Sequence, residues 1–235
     1  GIIEHAGNRE GWYRLNTSTC RKIDFLNADT TPLRLNWPLG VHELVELFPK
    51  SIAIIAGSPN AGKTAYLLNL ARKNMERCNT MYFSSEMGDV ELRIRLEKFG
   101  VPLETWERIS FLTDFKLKDL LKTMDPDGLN IIDYLEIYRD FYEVSGMIAD
   151  IFDRLEKGIA IIAIQKPTGR DTALGGERTL EKARLYLAIE AGQMKIVKGK
   201  IWRDEMVNPN GMSIEFKLAA GCKFTNTTSW KRASL

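Results

Sequence analysis

Histidine is nearly missing from this chain: His5 and His42 are the two in 235 residues. That scarcity argues against a histidine metal site or a Ser/His/Asp triad. Cysteine is almost as rare. Cys20, Cys78 and Cys222 lie far apart, with neither a zinc spacing nor a disulfide framework, and read as reduced thiols of a cytosolic protein. No apolar run approaches the roughly 18 residues of a membrane span and no signal peptide is visible, so no membrane partner is expected. A dominant charge is lacking too. A net charge of +2 and a pI of about 8.4 neither demand nor exclude a nucleic-acid partner. What is present is 44% hydrophobic residues, enough for one substantial core, alone or with an appendage. A start at Gly1 rather than Met reads as a fragment of something longer.

The most specific stretch is SIAIIAGSPNAGKT, residues 51–64, a β-branched apolar run that breaks into Gly57-x-x-x-x-Gly62-Lys63-Thr64. Strand, loop and helix in that order form the context of a phosphate-binding loop. Unpaired backbone N–H groups at a helix N-terminus receive phosphate charge, and the two glycines let the backbone come close. Gly57, Ser58, Pro59, Asn60, Ala61, Gly62, Lys63, Thr64 and Ala65 are therefore the candidate nucleotide contacts. Lys63 would reach the β- and γ-phosphates and the Thr64 hydroxyl a Mg²⁺ ion, with ATP as substrate.

Apolar runs at 51–56, 129–132 and 159–164, with a shorter one at 80–84, predict buried parallel strands. Helical patterns at 63–77, 89–99, 116–124 and 144–157 separate them, with Asp89 as an N-cap and Gly100 as a stop. Alternation of this kind predicts an α/β fold, a twisted parallel sheet flanked by helices. The segments 194–202 and 212–218 read as a C-terminal antiparallel hairpin, entered through the turn Asn208-Pro209-Asn210-Gly211. Residues 1–36 read as an arm, linker or remnant of a missing domain, with a small hairpin suggested by Gly11-Trp12-Tyr13-Arg14, and 37–235 as the main domain.

Hydrolysis needs a carboxylate to help position Mg²⁺ and a base to orient water. Asp133 follows an apolar strand directly, as a Walker B aspartate does, but its neighbour is Tyr134 rather than a glutamate. Glu86, just past the second strand, is the candidate base, and Glu136 a weaker competitor. Gln165 ends the strand at 159–164, where a polar group faces the ligand crevice of an open α/β sheet. It would sense the γ-phosphate and report its loss to the following loop. That loop carries Lys166, Arg170 and Arg178 among Gly169, Gly175 and Gly176, and reads as mobile, basic and suited to nucleic-acid phosphates.

Together these pieces resemble the RecA-like P-loop ATPases, and within them the ATPase domain of DnaB-type replicative helicases. The carrying residues are GSPNAGKT (57–64), SSEMGDVELRIRLEKFG (84–100), IIDYLE (131–136), IQKP (164–167) and the tail from 195 to 224. The resemblance implies a hexameric ring acting on single-stranded DNA, with Glu86, Lys63 and Gln165 catalytic and Thr64 and Asp133 on Mg²⁺. It also implies a basic hairpin residue that reaches the neighbour's nucleotide. Where the family has Lys-x-Arg, this chain reads Lys198-Gly199-Lys200, with Arg203 as the nearby guanidinium. A lysine is a point charge rather than a fork, which puts strand separation in doubt. The leading expectation is thus a helicase-like motor. The alternatives are a recombinase-like or regulatory RecA-family ATPase, and a nucleotide-gated DNA-binding loader or scaffold with little turnover.

Overall fold

The computed structural model describes residues 3–5, 13–15, 22–135 and 143–232. Gly11, Trp12, Cys20 and Glu136 lie outside the described residues. The chain divides into two compact units, Gly1–Thr31 and Pro32–Leu235. In the first, Ile3–His5 pairs antiparallel with Tyr13–Leu15.

The second unit is built on strands of the kind the apolar runs predict. β1 is Ser51–Gly57, buried at all seven positions. The helix α1, Lys63–Asn74, follows, then β2, Thr80–Ser84, and α2, Asp89–Glu97. Next come β3, Ile109–Leu112, α3, Leu117–Thr123, and β4, Leu129–Asp133. After α4, Glu143–Arg154, come β5, Ile159–Gln165, and β6, Ala183–Glu190. The tail supplies β7, Gln193–Gly199, β8, Met212–Ala219, β9, Lys223–Asn226, and β10, Lys231–Arg232.

Among the described residues these strands form one ten-stranded sheet in the order β9-β8-β7-β6-β1-β5-β4-β2-β3, with β10 beside β8. The pairs from β6 to β3 are parallel and those from β6 outward to β9 antiparallel. β1 sits centrally, so it must be apolar on both faces. Ala53 and Ile55 join one core with Tyr66, Leu67, Leu70 and Ala71 of α1. Ile52 and Ile54 join the other with Leu120 of α3 and Val144, Ile148 and Ile151 of α4. Each isoleucine so buried contributes roughly 1.5–3 kcal/mol of transfer free energy.

Some local expectations need correction. α2 is capped by Gly88, and Asp89 sits in its first turn, where its Oδ1 accepts from Val90 N–H. The segment 32–36, expected to belong to the arm, packs with the second unit: Leu35 is buried, and Asn36 N–H donates to Asn74 Oδ1 at 2.8 Å. Along β8 the expected alternation holds at Ile214 and Phe216, which are buried, between exposed Glu215 and Lys217.

Candidate nucleotide site

The carboxyl ends of β1, β2, β4 and β5 meet at one edge of the sheet, the edge where parallel α/β sheets bind ligands. A cleft of about 340 Å³ opens there, and Pro59 through Ala65, Glu86 and Gln165 line it. Three separate stretches of sequence thus converge on one volume.

The loop after β1 turns by means of two glycines. A Cβ on Gly57 would lie 2.4 Å from Lys63 Cγ and 2.7 Å from Ile189 Cγ2. Gly62 caps α1 in the left-handed region, at φ 92°, and a Cβ there would lie 2.9 Å from Leu218 Cδ2. The Lys63 ammonium folds back onto its own loop, donating to the Gly57 and Ser58 carbonyls at 3.0 Å each. Burial lowers its pKa, while the Asp133 and Glu86 carboxylates pull it back up. The ammonium is thus held by two carbonyls of its own loop.

Asp133 ends β4 with 2% of its surface exposed. Its Oδ2 accepts from the Tyr82 hydroxyl at 2.6 Å, while Oδ1 is buried without a hydrogen-bond partner. Burial pushes the carboxyl up, and the Tyr82 and Thr64 hydroxyls pull it partly back. Tyr82 stays a protonated donor because burial, reinforced by Asp133, raises its own pKa well above 10.0. A buried carboxylate oxygen with an empty side, facing a threonine hydroxyl, fits a hard cation. Among the described residues no group of three acidic, histidine or cysteine ligands exists.

Glu86 is positioned by the link between β2 and β4. Ser85 N–H donates to the Asp133 carbonyl at 3.0 Å, and its hydroxyl to the Tyr134 carbonyl at 3.1 Å. Met87 N–H donates to Ser84 Oγ, which closes the turn and leaves Glu86 exposed at the cleft.

No protein-family model matches the chain. The DNA repair protein RadA of Salmonella typhimurium aligns over 143 residues at 25% identity, and that of Escherichia coli at 24%. Each alignment covers 57% of this chain and 31% of the relative, so the chain matches about a third of those proteins. Among solved structures, a KaiC-like protein of Pyrococcus horikoshii superposes with a TM-score of 0.63 at 17% identity, covering 84% of this chain and 99% of that one. The RadB recombinase gives 0.54 at 16%, covering 74% and 90%. The fold is RecA-like. These relatives bear the names of repair, recombination and KaiC-like proteins.

Other expected residues sit elsewhere. Lys166 is the clear correction. Its side chain is 1% exposed and paired with Glu190, so it does not meet DNA phosphates from where it stands. Arg170 and Arg178 are exposed. Their loop is less free than its glycines suggest: the Tyr186 hydroxyl accepts from Ala173 N–H at 2.8 Å and lies 3.0 Å from Thr179 Oγ1. Lys198 donates to the Leu180 carbonyl and Arg203 to the His42 carbonyl, while Lys200 is exposed. None of the three lines this protomer's cleft.

Sequence reasoning missed Arg95, Tyr134, Leu218 and Gly221, which also line the cleft. Arg95 is held by Glu91 at 2.7 Å on the exposed side of α2. Leu218 and Gly221 belong to the β8–β9 hairpin, which packs on α1 through the Tyr66–Phe224 edge-to-face pair and a 2.7 Å bond from Asn69 to the Cys222 carbonyl. Among the described residues no helix is long and apolar enough to cross a membrane.

Proposed function

We propose that this chain is a Mg²⁺-dependent ATPase of the RecA-like kind, serving a recombinase-like or regulatory role on DNA rather than acting as a replicative helicase. The observation that carries the reading is the convergence of Pro59–Ala65, Glu86 and Gln165 on one cleft, with the Asp133 carboxyl buried. Thr64 and Asp133 would hold Mg²⁺, which when bound neutralises phosphate charge and orients the γ-phosphoryl group. Lys63 would leave the Gly57 and Ser58 carbonyls for the β- and γ-phosphates. Glu86, exposed at the cleft, would orient the attacking water and accept its proton. Gln165 would donate its amide to a γ-phosphate oxygen.

Among the described residues, the cations that line the cleft of one protomer are the half-buried Lys63 and the Glu91-tethered Arg95. A neighbour in a homo-oligomer would supply another, with Lys200 the free candidate. The departure from the Lys-x-Arg pattern and the names of the relatives both favour this reading over strand separation.

The test measures ATP hydrolysis with Mg²⁺ against added single-stranded and duplex DNA, with the oligomeric state recorded in the same samples. The expected result is turnover that rises with DNA, without unwinding of a forked duplex. An assembled oligomer that binds ATP without turning it over would instead support the nucleotide-gated scaffold. Robust unwinding would restore the helicase reading.

A further inference from the structure

Glu190 ends β6 beside the loop that follows β1, and both of its oxygens are engaged. Oε2 accepts from the Ser58 hydroxyl at 2.6 Å. Oε1 accepts from the Lys166 ammonium and from Gly169 N–H, the latter at 3.1 Å. The backbone repeats the link: Ser58 N–H donates to the Ile189 carbonyl at 3.3 Å, and Lys166 N–H to the Gly57 carbonyl at 3.0 Å. One carboxylate therefore bridges the nucleotide loop and the segment after Gln165.

The charges at this bridge are unusual. Lys166 is a lysine with 1% of its side chain exposed, whereas Glu190 keeps 29%. A buried ion pair is seldom more stabilising than apolar residues of the same volume, so stability alone does not explain it. Position does. A bare carboxylate beside a phosphate-binding loop would repel the nucleotide, and Lys166 cancels that charge while leaving both oxygens as acceptors. Burial pushes the Glu190 carboxyl up, but the bonds from Lys166, Ser58 and Gly169 outweigh it and hold the group ionised below its ordinary range.

There is also room for movement. A crevice of about 270 Å³ separates Pro59 from Pro167, Thr168 and Leu174, and it shares Pro59 and Gln165 with the nucleotide cleft. We propose that Glu190 is a positioning residue that couples nucleotide occupancy to the segment 166–174, because a shift of Ser58 on its one oxygen is carried to Gly169 on the other. The proposal rests on the reading of the cleft as a nucleotide site. When Lys63 leaves the Ser58 carbonyl for phosphate, the loop after β1 relaxes, and Glu190 draws Gly169 and the exposed Arg170 with it. Nucleotide state then sets how Arg170 is presented at the surface.

Hydrogen exchange of the full chain reads this directly, with and without Mg²⁺ and a slowly hydrolysed ATP analogue, adenosine 5′-O-(3-thiotriphosphate). In the parent, the analogue should slow exchange in the peptide covering 166–174 several-fold. In Glu190→Gln, and in the paired replacement Lys166→Met with Glu190→Leu, that response should vanish while analogue binding persists. The paired variant removes both charges together, so it folds even where Glu190→Gln strands the buried lysine. A response as large in the variants as in the parent overturns the coupling, as does a parent that binds the analogue with no change in 166–174. A parent that fails to bind the analogue at all overturns the nucleotide reading and this inference with it.

Discussion

The Tyr82 hydroxyl donates to Asp133 Oδ2 at 2.6 Å across two neighbouring strands, and leaves Oδ1 of the same carboxylate buried with no partner. A buried unpaired acceptor costs about 1–3 kcal/mol. The pKa direction has the same sign. Unfolded, the carboxyl ionises near the ordinary aspartate value of 3.8, and folded, burial holds the proton to higher pH. Between the unfolded and folded pKa values the folded state therefore holds more protons than the unfolded one, and stability falls as pH rises across that window. Asp133→Asn removes the charge and should raise stability at pH 7.5 by about 1 kcal/mol, or roughly 2–4 °C in Tm for a chain of this size. The gain should shrink as the pH is lowered toward the unfolded value. ATP hydrolysis should be lost in the same variant. Calorimetry and a phosphate-release assay check the two halves, and a lower Tm would remove the argument that function maintains this strained carboxylate.

Glu86 gives the complementary case. It is exposed, and its turn is closed by backbone and serine bonds rather than by its own carboxylate. Glu86→Gln should leave Tm and nucleotide affinity near the parent values while kcat falls by about 10²–10⁴. Calorimetric titration beside steady-state hydrolysis separates the two. If turnover survives, the base lies elsewhere.

How far the sequence disclosed this protein depends on how local each signal is. β1, β2, β4 and β5 are legible to within a residue because each is an apolar run fixed by burial on both faces. β6 escaped notice because Arg184 and Glu190 interrupt and end its apolar run. β3 and β9 have four residues each, too few for a period to register. Lys166 misled for a physical reason: a lysine beside a glycine-rich loop reads as solvated, and its partner Glu190 stands 24 residues away in sequence. A charged residue closing an apolar strand just before Gly192 was the available signal. Leu218 and Gly221 had none, since their place over the loop depends on how the β8–β9 hairpin packs on α1.

The two loop glycines should fail for different reasons. At Gly57 the obstacle is steric, since an added Cβ meets the Lys63 stem and the packed Ile189. At Gly62 it is conformational, an alanine at φ 92° costing about 1–2 kcal/mol before any contact with Leu218. Both alanine variants should lose nucleotide binding. Lys63→Ala should recover part of the stability lost in Gly57→Ala, with a coupling of about 0.5–3 kcal/mol, but none in Gly62→Ala. Denaturant melts of the two cycles check this, and equal coupling in both would show that the steric account of Gly57 is wrong.

The last prediction concerns the neighbouring protomer. Lys198 is half-buried, its ammonium fixed on the Leu180 carbonyl, whereas Lys200 on the same edge is exposed. Lys198→Ala should therefore act on stability, costing about 1 kcal/mol, and Lys200→Ala should leave Tm unchanged within about 0.5 kcal/mol. If Lys200 completes a neighbour's cleft, Lys200→Ala should lower hydrolysis with little change in nucleotide affinity, since its charge is needed where transition-state charge develops. Mixing separates a trans contribution from a cis one. Glu86→Gln and Lys200→Ala should each be impaired alone, yet a mixed assembly would contain interfaces where an intact Glu86 meets an intact Lys200. Activity should reappear on mixing and rise with the fraction of such interfaces. If the mixture stays as inactive as its parts in a confirmed mixed oligomer, Lys200 acts within its own chain or not at all, and the trans assignment passes to Arg203, whose guanidinium would first have to leave the His42 carbonyl.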